Sequence, residues 1–205
     1  MPTKPSKIVC IGRNYLEHAK ELGNDVPKEP LVFLKPPSSL VGNGEAIRLP
    51  AMSKKVDYEG EIGIVMGARL RHANAGQAAR AIGGILALND VTARDLQKLD
   101  SQWTRAKGFD TFCPIGEPGP APSDLSSLTV VTRVNGKERQ RGSASEMAFA
   151  IPDLLAYISQ IMTLEAGDIV ATGTPSGIGT LSAGDEVEVE VLGVSRVRNP
   201  VITEA

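Results

Sequence analysis

The chain has 205 residues, 41% hydrophobic and 22% charged, with 22 Lys and Arg against 24 Asp and Glu for a formal net charge of -2. That composition excludes a disordered or collagen-like chain and supplies enough apolar residues for one sizeable core. The near-neutral balance carries no electrostatic footprint for nucleic acid or an anionic membrane and leaves a small neutral or acidic ligand open. No apolar run approaches the roughly 18 residues of a membrane span and the N-terminus has no signal-peptide core, so a cytoplasmic protein is expected. Two cysteines, Cys10 and Cys113, are too few for a disulfide scaffold and read as buried, reduced thiols. With only His18 and His72 besides, no zinc-ligand spacing exists. A bound metal would be a hard cation such as Mg²⁺ or Mn²⁺, held mainly by oxygen.

In chain order, Asn14 is placed to cap a short helix with Tyr15, Ala19 and Leu22 on its apolar face and Gly23 at its end. The run from Val56 to Met66 alternates with period two, which predicts one strand with Tyr58, Ile62 and Ile64 on one face. Ile85 to Leu88 predicts a second strand, ending in a turn at Asn89 and Asp90. Thr92 and Asp95 then have the spacing of a capping box that opens a helix. Leu128 to Val134 followed by Asn135-Gly136 predicts a hairpin, because both turn residues tolerate positive φ. Pro152 starts an amphipathic helix whose core face is Leu154, Leu155, Ile158, Ile161 and Met162. Leu164 to Asp168 and Leu181 to Asp185 are similar turns, each leading into a β-rich segment. The 21 Gly and 14 Pro spread along the chain favour many short strands, so the expected fold is α+β, mainly β, in one domain over residues 1–205.

Glu59 and Glu61 lie two apart on the first predicted strand, so their carboxylates share a face and can converge on one cation, with Asp90 as a third ligand. A solvated acidic face has the same spacing. His18 and Glu21 are i and i+3 on the short helix, where the carboxylate can hold the imidazole as a base or form an ordinary surface ion pair. Lys107 beside Gly108, Arg94 and Gln97 one turn apart downstream of Asp90, and Thr174 in a Gly-flanked loop complete the candidates. Each also reads as an exposed or turn-stabilising side chain. His72, in a polar loop, is given no role.

Six stretches in order resemble the fumarylacetoacetate hydrolase family. They are Gly12 to His18, Phe33 to Pro36, Asp57 to Val65, Asn89 to Asp95, Ala106 to Asp110 and Gly167 to Pro175. The resemblance implies packed, rolled mixed β-sheets, a homodimer, and Mg²⁺ or Mn²⁺ held by Glu59, Glu61 and Asp90. It further implies a lid segment at about residues 14–28 that supplies His18 and Glu21 as a water-activating dyad. By the same resemblance, Lys107 and Gln97 stabilise developing negative charge, and Arg94 and Thr174 hold substrate.

The chain is similar to the short acylpyruvase and oxaloacetate decarboxylase branch, which places metal-dependent hydrolysis of acylpyruvates first. Oxaloacetate decarboxylation is the leading alternative. The stretch Phe109 to Pro114 also resembles hydroxymuconate isomerase/decarboxylase members of aromatic catabolism. A catalytically silent oxo-acid-binding protein is the non-enzymatic alternative.

Overall fold

The computed structural model describes residues 5–15 and 27–204. The short helix expected after Asn14, with His18 and Glu21, lies outside the described residues, as does most of the expected lid.

Two five-stranded sheets form the body. The first has the order β2 (Leu31–Lys35), β1 (Ile8–Gly12), β12 (Ile169–Ala171), β6 (Gly60–Met66), β7 (Ile82–Asn89). The second has the order β11 (Lys137–Ser143), β10 (Thr129–Val134), β14 (Glu186–Val191), β15 (Ser195–Thr203), β4 (Ile47–Leu49). Both are mixed, because β1 runs parallel to β12 and β15 parallel to β4 while their other pairings are antiparallel. Two smaller sheets pair β5 (Val56–Tyr58) with β8 (Thr92–Ala93) and β13 (Gly179–Thr180), and β3 (Leu40–Val41) with β9 (Cys113–Pro114). The helices among the described residues are short: α1 (Ala75–Arg80), α2 (Arg94–Leu99), α3 (Thr104–Lys107) and α4 (Ile151–Ile161).

Alternation along the strands explains the layering. In the first sheet Val9, Ile11, Ile62, Ile64, Ile85 and Ala87 face Val130, Val189, Val191 and Val197 of the second, with Leu154, Leu155 and Ile158 of α4 closing the same core. The intervening residues Ile8, Cys10, Leu86, Leu88, Ile169 and Ala171 pack on the opposite face against Cys113 and Ile115. A sheet covered on both sides reads as continuous apolar sequence. That is why Ile8 to Ile11 and Ile85 to Leu88 contain no polar residue. Each large aliphatic side chain so buried contributes about 1.5–3 kcal/mol.

The Asn135-Gly136 hairpin forms as expected, with φ of 53° and 75° at the two turn residues. The two similar turns also form, each closed by its aspartate: Asp168 Oδ2 accepts from the Glu165 N–H at 2.8 Å and Asp185 Oδ2 from the Ser182 N–H at 2.7 Å. Both cysteines are free and fully buried. Burial pushes the Cys10 thiol upward and the Cys113 thiol up to about 12, which keeps both in the unreactive protonated form.

Three expectations need correction. The predicted strand from Val56 to Met66 is two strands in different sheets, interrupted at Glu59, whose N–H donates to Asn89 Oδ1 and whose carbonyl accepts from Asp90 N–H. No capping box opens α2: Thr92 lies in β8 with its hydroxyl on Asp90 O, and Asp95 accepts from Ser53 Oγ and Lys54 N–H. Asn14 places its side chain on Thr172 O and on both backbone groups of Phe149, and the helix it was expected to cap lies outside the described residues. Ile161 is 53% exposed because α4 ends there, beyond the buried Leu154, Leu155 and Ile158.

Candidate metal centre

Glu59, Glu61 and Asp90 converge because of strand register. Gly60 on β6 pairs with Asn89 on β7, which brings Asp90, the next residue, beside Glu59. The Asp90 N–H donates to Glu59 O at 2.8 Å. One ligand oxygen from each of the three carboxylates lies within 4.8 Å of the others, and all three residues are buried.

Gly60, between the two glutamates, has no room for a side chain, since a Cβ there would lie 1.9 Å from Thr132 Oγ1. Its backbone is gripped on both sides. The Gly60 N–H donates to Gln140 Oε1 at 2.9 Å, and Gly60 O accepts from Thr174 Oγ1 at 2.9 Å. Gln140 Nε2 donates to Thr174 Oγ1 and Pro175 O, both at 2.8 Å, which ties the strand to the loop after β12.

Cations surround this acidic cluster. Lys107 Nζ donates to Glu59 Oε2 at 2.7 Å and Asp90 Oδ2 at 2.6 Å, and it stands 5.0 Å from the centre of the Phe33 ring. Lys35 Nζ donates to Asp90 Oδ1 at 2.7 Å and Val91 O at 3.1 Å. Arg94 forks between Asp57 Oδ2, at 2.9 Å from Nε, and Glu59 Oε1, while its Nη1 donates to Gln97 Oε1 at 2.6 Å. Glu61 is the exception. Among the described residues it accepts from the Gly173 N–H at 2.7 Å and pairs with no cation. Burial, and then the charges of Asp90 and Glu59, push its carboxyl well above the ordinary range. Burial pulls Lys107 down, but Asp90 and Glu59 outweigh it and hold the ammonium above the usual lysine range.

The donor set fits a hard divalent cation. Three buried carboxylates within reach of one point suit Mg²⁺ or Mn²⁺, and each carboxylate oxygen that accepts a lysine proton keeps a lone pair. Four carboxylates, Asp57 included, face three cations here, so an added cation relieves repulsion at Glu61.

Glu59, Glu61, Asp90, Arg94, Gln97, Lys107 and Thr174 all line one cavity of about 280 Å³, whose other walls include Ile11, Arg13, Phe33, Lys98 and Trp103. Gln97 uses its oxygen on Arg94, and among the described residues its amide N–H groups have no acceptor. Thr174 reaches the cavity and also has a second, structural contact. Its hydroxyl proton is committed to Gly60 O, so it braces the strand between the glutamates. Sequence reasoning assigned no role to Lys35, Asp57 or Gln140. For Asp57 a signal existed: it precedes Glu59 and Glu61 in the same two-residue rhythm. Lys35 ends the apolar run Leu31 to Leu34, where a lysine buried in the structure calls for a partner. Gln140 had none, because its partners are 34 to 80 residues away.

Comparison with known proteins agrees with this architecture. The C-terminal domain model of fumarylacetoacetate (FAA) hydrolase matches residues 7–202. The mitochondrial oxaloacetate tautomerase of Arabidopsis thaliana is 43% identical over 199 residues, spanning 94% of this chain and 89% of that protein. An oxaloacetate tautomerase of Bacillus subtilis is 42% identical over 212 residues, spanning 97% of this chain and 70% of that protein. The structure of 5-carboxymethyl-2-hydroxymuconate delta-isomerase from Mycobacterium smegmatis superposes with a TM-score of 0.91 at 42% identity, over 98% of this chain and 80% of that one. Sequence and fold thus agree along almost the whole length, and the chain belongs to the fumarylacetoacetate hydrolase family.

Proposed function

We propose that this chain is a divalent-metal-dependent isomerase of 2-oxo acids that moves a proton between C3 and the 2-oxo oxygen, as in the tautomerisation of oxaloacetate. The observation that carries it is the convergence of Glu59, Glu61 and Asp90 within 4.8 Å, beside the Lys107 ammonium, in one small cavity. Relatives and a structural neighbour are named as tautomerases and as an isomerase of a hydroxymuconate. Those names support isomerisation better than acylpyruvate hydrolysis, the first expectation from sequence.

Glu59, Glu61 and Asp90 would hold Mg²⁺ or Mn²⁺, which when bound would supply Lewis acidity to a 2-oxo group. Lys107 has three N–H groups, two of them on Glu59 and Asp90. Its third serves the substrate oxygen that gains negative charge as the C3–H bond breaks and its electron pair becomes the C2–C3 double bond. Because Lys107 stays protonated, it acts as an electrostatic stabiliser and leaves the base to another residue. We assign that role to His18, oriented by Glu21; the His18 imidazole takes the proton from C3 and, as the imidazolium, returns it to the 2-oxo oxygen. Gln97 offers its amide N–H groups to the C1 carboxylate, and Arg94 fixes Gln97 and Glu59 at once. The proposal includes a homodimer, which light scattering tests. No helix among the described residues is long and apolar enough to cross a membrane.

The test follows the ultraviolet absorbance of enol-oxaloacetate with Mg²⁺, with Mn²⁺ and with EDTA, and assays pyruvate release from acetylpyruvate and oxaloacetate in parallel. Metal-dependent loss of the enol without pyruvate release is the expected result. Pyruvate release from acetylpyruvate with no acceleration of enol loss would return the assignment to hydrolysis, and release from oxaloacetate alone would make the protein a decarboxylase.

A further inference from the structure

The cations of the cavity fall into two groups. Lys35, Arg94 and Lys107 are buried and each is paired with carboxylates of the inner cluster. Arg13, half-buried, and Lys98, exposed, line the same cavity, and among the described residues neither has an acidic partner. The inner group is matched to its own carboxylates, a divalent cation and one carboxylate of a 2-oxo acid. A second carboxylate on the substrate finds no uncommitted cation there.

Arg13 is placed to meet it. The residue is half-buried and sits in the left-handed region with φ of 59°, a conformation that costs a non-glycine residue energy and persists only where neighbours impose it. Asn14 imposes it. Its fully buried side chain is locked by Thr172 O at 2.8 Å, Phe149 N–H at 2.9 Å and Phe149 O at 3.2 Å. Arg13 therefore projects from a rigid turn, and its charge is partly desolvated. A planar guanidinium there suits bidentate recognition of a carboxylate. Lys98 is exposed on α2 and acts through its field, attracting the anion without fixing it.

We infer that Arg13 binds the carboxylate remote from the metal and selects 2-oxo dicarboxylates over 2-oxo monocarboxylates, with Lys98 steering at the rim. This rests on the isomerase reading and names its substrate class.

The test compares wild type with Arg13→Asn, since Asn tolerates left-handed backbone, and with Arg13→Lys, which keeps a point charge. Tautomerisation of oxaloacetate is measured beside that of acetylpyruvate, which carries the same head and a methyl ketone in place of the second carboxylate. For Arg13→Asn the ratio of kcat/KM values, oxaloacetate over acetylpyruvate, should fall about 10- to 100-fold, the loss expected for a partly desolvated charged pair. Arg13→Lys should restore part of it. Calorimetry with Mg²⁺ and with oxalate, which has no remote carboxylate, should give wild-type affinities for both variants. An unchanged ratio, or an equal loss of oxalate binding, would overturn the inference. If wild type isomerises neither substrate, the isomerase reading fails separately, and the calorimetric affinity ratio of oxaloacetate to pyruvate in wild type and Arg13→Asn still decides the role of Arg13.

Discussion

Gly173 and Glu61 meet through one hydrogen bond, from the Gly173 N–H to Glu61 Oε2 at 2.7 Å. The contact exists because Gly173 holds φ of 100° and approaches Asn14 so closely that a Cβ would lie 2.8 Å from Asn14 Cβ. Gly173→Ala must therefore move this loop. Its expected effects are a stability loss of about 1–3 kcal/mol and an approximately tenfold or greater weakening of Mg²⁺ binding, because Glu61 loses its only orienting donor among the described residues. Titration calorimetry beside thermal unfolding separates the two.

Lys107→Met leaves Glu59 and Asp90 facing each other without the ammonium between them. Breaking a buried pair costs about 3–5 kcal/mol, so the metal-free variant should melt well below wild type. Mg²⁺ should recover part of the loss by replacing the missing charge. Turnover should stay at least about 100-fold below wild type even with saturating metal, since the donor to the developing oxyanion is gone. Melting curves with and without Mg²⁺, read beside kcat, check both halves.

Gln140→Leu tests the brace behind the site. It strands the Gly60 N–H, and it takes from Pro175 O and Thr174 Oγ1 the N–H groups they accept. A stability loss of about 2–4 kcal/mol is expected, with weaker metal binding because Gly60 separates two of the three ligands. Gln140→Glu keeps the acceptor for Gly60 and should be the milder change in metal affinity at low pH, where its carboxyl can also donate.

Asp168 sets an acid limit on stability. Its carboxylate accepts from Ser6 N–H at 2.9 Å, Ser6 Oγ at 2.7 Å and Glu165 N–H at 2.8 Å, and pairs with Lys7, which fastens the start of β1 to β12. Burial raises its pKa, but these donors outweigh burial and hold it below the ordinary value. Because the folded pKa is the lower one, the stabilisation is complete above the unfolded aspartate pKa of about 3.9 and disappears as pH falls through the folded value. Asp168→Asn should cost about 1–2 kcal/mol at neutral pH, moderated by the solvent around Lys7. The gap to wild type should close on acidification, as urea unfolding from pH 7 to pH 3 would record.

Local chemistry made much of the fold legible. Positive φ at Asn135 and Gly136, a proline in the first turn of α4, and apolar runs buried on both faces all act within a few residues of the signal itself. The two-residue spacing of Glu59 and Glu61 was legible as well, although the strand breaks at Glu59 and register brings Asp90 beside it. Where a side chain had a choice of partners, local rules failed. Thr92 is a good cap by type, and its hydroxyl is spent on Asp90 O instead.

By itself the sequence determined that this protein has short strands, a carboxylate-based candidate site and no zinc-type ligand set, because residue type and spacing decide those things. Only the tertiary structure decided that Asp90 stands beside Glu59, that Lys107 and Lys35 are buried against it, and that Gln140 grips Gly60. Strand register and long-range packing set these distances. A buried charge accepts whichever partner the fold delivers, and Lys35 with Asp90, 55 residues apart at 2.7 Å, is such a delivery.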